Sequence, residues 1–303
     1  MDGGAVPCAP PIRLRTLEMG RMFLNPFRKC LNASLAITMS LALLPTGAAA
    51  WGGNGQRVVV NQAIDTLPAD LRSFFENNRS FLVQHVTDPL DAEAKSPAER
   101  HNHFIRLDKY GRFPFEALPR SYKAAVSKYG KSKIDSTGLL PWEIGVYSQK
   151  LTEAMKLGHW DEARLDAAVL AFYVAEAHDP FNCTENFDGR LTNQTGINER
   201  FGTNLIDRFS SFFPMRPNDA AFISDPTEHG FDACLNAHSW LEVIQLADRN
   251  ARSESKSYND EYFDRFYNLS AGTLIRQLSD AATDVGSYWL TAWTNAGKPA
   301  LPH

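Results

Sequence analysis

The amino-acid sequence predicts an all-α fold, a compact multi-helix single domain with long polar loops, on three observations. Apolar residues recur at the three- and four-residue spacing of amphipathic helices, whereas the alternating pattern of strands is scarce. Two long polar stretches separate the helical segments: residues 87–119, which hold Asp, His, Pro and Gly, and residues 180–202, which are crowded with Asn, Thr, Gly and Asp. No internal repeat divides the chain, so the roughly 250 residues that follow residue 50 fit one domain.

The first half of the chain contains three segments with a helical pattern. Val59 and Ala63 lie on the apolar face of the first segment. Pro68 begins a second helix, because proline fits a first helical turn, where its missing N–H costs no hydrogen bond. Pro141 begins a third helix in the same way, and its apolar face continues to Leu151. These segments predict three helices before the middle of the chain.

The second half contains the two clearest helical patterns. Residues 161–177 place apolar side chains, Val169 among them, on one face, and Pro180 follows the end of the segment. Residues 240–246 form a shorter helical segment. Residues 271–293 keep an apolar face throughout and predict a long final helix.

The N-terminal fifty residues are typical of an export signal. A basic pair at 28–29 precedes an apolar run at 34–44, and the small residues at 48–50 suit a signal peptidase. The apolar run is too short for a bilayer, which takes about twenty residues, so no membrane span is expected. We therefore predict that residues 1–50 are removed, and that an exported domain, periplasmic or secreted, begins at Trp51.

Cysteine usage supports export. Cys8 and Cys30 would be removed with the signal, which leaves Cys183 and Cys234 in the mature chain. An exported chain with two cysteines commonly pairs them, so we predict a Cys183–Cys234 disulfide. Two buried thiols are the alternative, because the distance between the cysteines cannot be read from the sequence.

The charge of the chain restricts its partners. Removing residues 1–50 takes away five basic and two acidic residues, which moves the formal net charge from −4 to −7. Duplex DNA binding depends on lysine and arginine neutralising phosphates, so no duplex nucleic acid partner is expected. A small cleft for one phosphate-containing ligand stays compatible with this composition. The sequence does not indicate an oligomeric state.

Five short motifs follow one another along the predicted mature chain. They are WGGNGQ at 51–56, HFIRLDKYG at 103–111, FYVAEAHDPFN at 172–182, GINERFG at 196–202 and AWTNAGKP at 292–299. In order and spacing they resemble the bacterial phospholipase C-like branch of the zinc-dependent phospholipase C and trinuclear-zinc single-strand nuclease superfamily. The resemblance covers nearly all of residues 51–299. It implies a helical domain of the phospholipase C and nuclease type, a zinc cofactor and hydrolysis of phosphoric ester bonds.

The nine zinc-ligand positions of that superfamily are only partly kept here. The resemblance assigns usable ligand groups to Trp51 (through its α-amino group and carbonyl), Asp88 (or Asp91), His103 and Glu176. The other five positions carry Gln56, Phe172, Asn182, Asn198 and Gly202. Phenylalanine and glycine side chains offer no ligand atom, and amide oxygens bind zinc weakly. Zinc is therefore expected at reduced occupancy or not at all.

These replacements predict an exported superfamily member that is catalytically degenerate and binds without cleaving. Two alternatives stay open. One is a phosphodiesterase with one or two metals held by Trp51, Asp88, His103 and Glu176, with Asp88 as the catalytic candidate. The other is a calcium-binding variant, because calcium accepts amide and carboxylate oxygens. Glu176 lies on an apolar helix face, where a carboxylate needs a partner, and Arg200 is a candidate for that partner.

Overall fold

The computed structural model describes residues 51–255 and 257–302, and every regular element in this part of the chain is helical. The all-α prediction is confirmed. The described α-helices are α1 (Gly52–Thr66), α2 (Ala69–Asn77), α3 (Arg79–His85), α4 (Asp88–Lys95), α5 (Tyr122–Tyr129), α6 (Lys131–Thr137), α7 (Leu140–Leu157), α8 (Trp160–Ala177), α9 (Leu205–Phe209), α10 (Pro226–Ser239), α11 (Leu241–Glu254) and α12 (Asp260–Asn295). The predicted export signal, residues 1–50, lies outside the described residues.

The long helices agree with the sequence pattern, although two of them extend beyond it. The predicted helix at 161–177 is α8, and the predicted final helix is the C-terminal part of α12. Helix α12 begins earlier because Asn259 caps its N-terminus, with the Asn259 Oδ1 accepting the Tyr262 N–H at 3.1 Å. The first turns of α12 mix charged residues with the buried Tyr262, Phe263 and Phe266, and the sequence prediction did not extend the helix to them.

One of the two predicted loops contains a helix. Residues 87–119 include α4, which begins with Asp88 and Pro89 and carries acidic residues in its first turn. Both features favour a helix N-terminus. The same stretch also forms two 3₁₀ turns, Glu99–His103 and Leu107–Tyr110. Outside these elements it is irregular, as predicted.

Helix α8 lies at the centre of the bundle. It packs against α1, α3, α7, α10 and α12, and its second half is almost completely buried. The Trp289 indole of α12 donates to the Ala167 carbonyl of α8 at 3.0 Å, which joins the two longest buried surfaces. Because the second half of α8 is buried, a polar side chain near its C-terminal end lies in the core. Of the described helices, none is long and apolar enough to cross a membrane.

An extended segment at residues 216–223 runs along α12 and is held by side-chain hydroxyls. Each hydroxyl accepts one N–H of the segment at 2.8 to 3.1 Å. The four acceptors are one helical turn apart: Ser279, Thr283, Ser287 and Thr291. The ladder satisfies backbone donors that neither a helix nor a sheet satisfies.

Two glycines of α12 give a matched test of its packing against α1. A Cβ added at Gly286 would lie 2.0 Å from the Thr66 Oγ1, whereas one at Gly272 would meet nothing within 4 Å. We expect Gly286→Ala to lower the free energy of unfolding by about 1–3 kcal/mol, because overpacking moves α1 away. Gly272→Ala should raise that free energy by up to about 1 kcal/mol, because alanine favours helix. Urea denaturation measures both, and equal changes would contradict the packing described.

Candidate functional site

The carboxylate of Glu176 lies near the C-terminal end of α8 and is 2% exposed. Its Oε1 accepts a hydrogen bond from the Gln56 Nε2 at 2.6 Å, and its Oε2 accepts one from the Asn182 Nδ2 at 2.8 Å. The same Asn182 amide also lies 3.2 Å from the Glu176 carbonyl oxygen. Both carboxylate oxygens are thus bonded by neutral amide donors.

Fold elements from different parts of the chain position these three side chains. Gln56 is on α1, Glu176 is on α8, and Asn182 is in the 3₁₀ turn that follows α8. That turn is fixed by the buried Asp179, whose Oδ1 accepts the Phe181 N–H at 2.7 Å. Helix α1 packs against α8, and this contact lets the Gln56 amide reach the carboxylate.

His103 is the cation nearest to this group. Its Nδ1 lies 3.3 Å from the Glu93 Oε2, and its Nε2 lies 3.4 Å from the Glu99 Oε1. Burial alone would lower the pKa of His103, but these two glutamates and the charge of Glu176 raise it to about 9. A pKa of about 9 favours the imidazolium at neutral pH, so a metal would have to displace that proton before the ring could bind it.

The charges of the cluster are coupled. Burial raises the pKa of Glu176 to about 7, against the lowering effects of the His103 charge and the two amide donors. The hydrogen bond from His103 lowers the pKa of Glu93. The ring of Phe172 lies edge-on to His103, with ring centroids 4.9 Å apart. An ion-pair cluster with an aromatic wall therefore surrounds the buried carboxylate.

Trp51 packs directly against this cluster. Its indole Nε1 donates to the Ala175 carbonyl at 2.7 Å, and its ring lies 6.1 Å from the Phe201 ring. The Trp51 carbonyl accepts the Gly55 N–H at 3.2 Å, as the first acceptor of α1. The carbonyl that the resemblance assigns to a metal is thus engaged in a helix hydrogen bond.

Asn198 and Gly202 complete the set of aligned positions. Both are buried, and Gly202 belongs to a π-helical turn, Glu199–Asn204. The Oδ1 of Asn198 and the Oε1 of Gln56 are buried without a hydrogen-bond partner in the described structure. Unpaired buried amide oxygens are costly, so each is a point at which the cluster is incompletely satisfied.

The structure places Asp88 differently from its aligned position. The Asp88 Oδ2 lies 2.8 Å from the His85 Nδ1, and the Asp88 side chain is 42% exposed. Asp91 is exposed as well. The carboxylates that reach His103 are those of Glu93 and Glu99, which sequence reasoning missed because both belong to a stretch predicted as a loop.

The residues present do not fit a zinc ion. Zinc needs several imidazole, thiolate or carboxylate groups with free lone pairs. Here both Glu176 oxygens receive amide N–H groups, and His103 is protonated between two glutamates. Within residues 51–255 and 257–302, no group of three or more histidine, cysteine, aspartate or glutamate side chains has metal-binding geometry.

Arg200, a candidate partner of Glu176, pairs elsewhere. Its Nη2 lies 3.0 Å from the Asp248 Oδ1, and its Nε lies 3.1 Å from the Tyr262 hydroxyl. That expectation was wrong, because the π-helical turn directs the arginine towards α11 and α12. The non-metal partners of Glu176 are the two amides and the His103 charge.

The two cysteines are neighbours but form no disulfide. Cys183 and Cys234 are both buried free thiols. Burial and the adjacent Cys234 thiol raise the pKa of Cys183 well above its usual range. The Cys183 Sγ lies 3.4 Å from the Asp179 carbonyl, to which it donates. The predicted disulfide is therefore absent from the structure, which has the alternative, two buried free thiols.

Three further histidine–aspartate contacts could not be found from motif spacing. The Asp284 carboxylate of α12 lies 2.9 Å from the His178 Nε2 and 3.0 Å from the His229 Nε2. The Asp108 carboxylate lies 2.7 Å from the His238 Nε2. Each pair joins residues more than fifty positions apart in the sequence, so the signal exists only in the fold.

The fold thus brings the aligned positions on α1, α8 and the following turn into one buried cluster, in which amides and an imidazolium surround a carboxylate. No protein-family model matches this chain, and no curated protein matches it either.

Proposed function

We propose that this chain is an exported, non-hydrolytic relative of the zinc-dependent phospholipase C and single-strand nuclease superfamily, acting by binding. The observation that carries the proposal is the pair of amide hydrogen bonds on Glu176. In the superfamily the equivalent carboxylate bridges two metals. Here Gln56 and Asn182 supply N–H donors to both of its oxygens.

In this proposal, protein side chains take the place of the metal ions beside Glu176. A buried carboxylate is stable only with compensating positive charge or hydrogen-bond donors. Metal ions supply the charge in the superfamily. The amides of Gln56 and Asn182 supply donors in this chain, and His103 supplies a positive charge. The bundle therefore keeps its buried acidic centre without a Lewis acid or a source of low-pKa water.

A phosphate-containing ligand is part of the same proposal. One described cavity, of about 640 Å³, is lined by Arg120, Tyr122, Trp142 and Glu143. Asp225 and Glu228 line the same cavity, and the Arg120 Nε lies 3.5 Å from the Glu228 Oε1. The Arg120 Nη1 is buried without a hydrogen-bond partner in the described structure. This second guanidinium nitrogen suits a phosphate oxygen, so this cavity is the proposed position for such a ligand.

A hydrolysis assay tests the loss of activity. We expect the wild-type chain to give no turnover of a chromogenic phosphodiester above the metal-only background, with or without added zinc. The reason is that the Glu176 oxygens and His103 are already occupied by protein partners. Calcium-dependent turnover would favour the calcium-binding alternative. Zinc-dependent turnover that is lost in Glu176→Gln would favour the reduced-metal phosphodiesterase.

Export is tested separately. We expect mass spectrometry of material recovered outside the cytoplasm to show a mature chain that begins at Trp51, because residues 48–50 provide the small side chains that a signal peptidase recognises. Exported protein that still carries residues 1–50 would contradict this part of the proposal. A cytoplasmic full-length chain would contradict it as well.

A further inference from the structure

A cavity of about 630 Å³ lies away from the Glu176 cluster, between the 3₁₀ turn Leu107–Tyr110, the loop after Cys183 and the start of α11. Its volume is in the range of small-molecule sites. Its walls include Asp108, Phe113, Glu185, His238, Glu242 and Gln245. None of the nine positions aligned with zinc ligands lines it.

One wall is a fixed histidine–aspartate pair. The His238 Nε2 lies 2.7 Å from the Asp108 Oδ1. The Asp108 Oδ2 accepts hydrogen bonds from the Thr184 hydroxyl at 2.6 Å and from the Glu185 N–H at 2.7 Å. Burial alone would raise the pKa of Asp108, but these hydrogen bonds hold it at about 2. An ionised carboxylate only accepts, so the proton of this contact belongs to the His238 Nε2.

The second ring nitrogen of His238, Nδ1, accepts a hydrogen bond when the ring is neutral. Among residues 51–255 and 257–302, this ring hydrogen-bonds only through its Nε2. Two aromatic rings hold the imidazole in place, with centroids at 4.9 Å for Phe115 and 6.2 Å for Phe113. The cavity wall therefore carries a positioned ring nitrogen that no described side chain engages.

The charged side chains that line the cavity favour a positively charged ligand. Asp108, Glu185 and Glu242 line the cavity, and no lysine or arginine does. The Glu185 carboxylate pairs with Lys109. The Glu242 carboxylate, in the first turn of α11, has no ion-pair or hydrogen-bond partner in the described part of the chain. An anion would enter a wall of carboxylates with no cation to receive it.

Phe113 adds an aromatic surface to the same cavity. Its side chain is 56% exposed, although it stacks on His238. A cation over an aromatic ring is attracted by the negative charge of the ring face. The acceptor of His238, the carboxylate of Glu242 and the ring of Phe113 thus match a positively charged group that carries N–H donors.

We propose that this cavity binds a small organic ammonium ligand. The His238 Nδ1 accepts an N–H of the ligand, Glu242 supplies the opposite charge, and the Phe113 ring contacts the cation or its methylene groups. The site goes beyond the proposed function, because it uses neither the Glu176 cluster nor the Arg120 cavity.

Isothermal titration of the purified chain with 1,4-diaminobutane tests the proposal. We expect saturable binding of the diamine, and none of 1,4-butanediol, which has the same length without charge, or of inorganic phosphate. Glu242→Gln should weaken the diamine about fivefold, the typical loss of an ion pair at a partly exposed site. Phe113→Leu should weaken it as well. Glu153→Gln removes a charge from an exposed position on α7 and should leave the affinity unchanged.

Several results would overturn the proposal. They are diamine binding no tighter than diol binding, no saturable binding at all, phosphate bound in preference, or equal losses in Glu242→Gln and Glu153→Gln. If Glu242→Gln does not fold, Phe113→Leu and the diol comparison still decide the question. Restoring zinc ligands at the Glu176 cluster should leave diamine affinity unchanged, so the two proposals fail separately.

Discussion

Replacing His103 with glutamine is expected to lower the free energy of unfolding near neutral pH by about 3–5 kcal/mol, the typical cost of breaking a buried ion pair. The imidazolium lies between Glu93 and Glu99, and it also compensates the charge of Glu176. Glutamine keeps a polar side chain but removes the central positive charge, and of these carboxylates Glu93 keeps Arg100, whose Nε lies 3.6 Å from the Glu93 Oε1. His159→Gln is the matched control, because His159 is an exposed histidine at the start of α8.

The same substitution has a predicted pH dependence. The folded-state pKa of His103 is raised to about 9 from its ordinary 6.5, so the folded state binds the proton more tightly than the unfolded state. The stabilisation is complete below pH 6.5 and is lost as the pH rises through about 9. Urea denaturation should therefore show the difference between wild type and His103→Gln narrowing from about pH 6 to about pH 9.5. A difference that stays constant over this interval would contradict the ion-pair description.

The second large effect concerns zinc. A fivefold variant that restores the superfamily ligands should bind more zinc than the wild type and should melt at a higher temperature when zinc is present. The substitutions are Gln56→His, Phe172→His, Asn182→His, Asn198→His and Gly202→Glu. They remove the amide donors from Glu176 and return imidazole nitrogens to a buried position. Elemental analysis and thermal denaturation measure the two effects.

A partial variant is the control for that result. Asn182→His, Asn198→His and Gly202→Glu together restore one metal position and should add about one zinc ion per chain. The Gln56 amide still occupies one oxygen of Glu176 in this variant. A fivefold variant that folds but gains no zinc would show that the resemblance does not extend to the geometry of the site.

The helical fold was predictable because apolar periodicity is a local property. Residues 161–177 have a buried face at helical spacing, and α8 spans nearly the same residues. Helix α4 was missed because it is short and polar, and its start is visible only from Asp88 and Pro89. At the start of α4, the helix-favouring residues Asp88 and Pro89 outweighed the polar, loop-like composition of the segment.

The candidate site was predictable in part. Gln56, Glu176 and Asn182 were all among the aligned ligand positions, and the structure brings them into contact although Gln56 and Glu176 are 120 residues apart in the sequence. The alignment did not indicate Glu93 or Glu99, because neither occupies an aligned ligand position. The Asp108–His238 contact joins residues 130 positions apart, and no local pattern carries such information.

Glu176 shows how a buried carboxylate is stabilised by protein groups. Amide donors from Gln56 and Asn182 satisfy its oxygens without adding charge, and the nearby His103 charge offsets its own. In the function we propose, these hydrogen bonds stabilise the core and occupy the carboxylate oxygens that a metal would use, so the fold is kept while hydrolysis is lost.

The zinc content of the wild-type chain tests this account most directly. The protein would be purified without chelators, equilibrated with excess zinc, freed of unbound metal and measured by elemental analysis alongside the fivefold variant. The account predicts fewer than three zinc ions per wild-type chain, and well below one at the Glu176 cluster, because both carboxylate oxygens accept amide N–H groups. Three zinc ions bound stoichiometrically to the wild-type chain would contradict it.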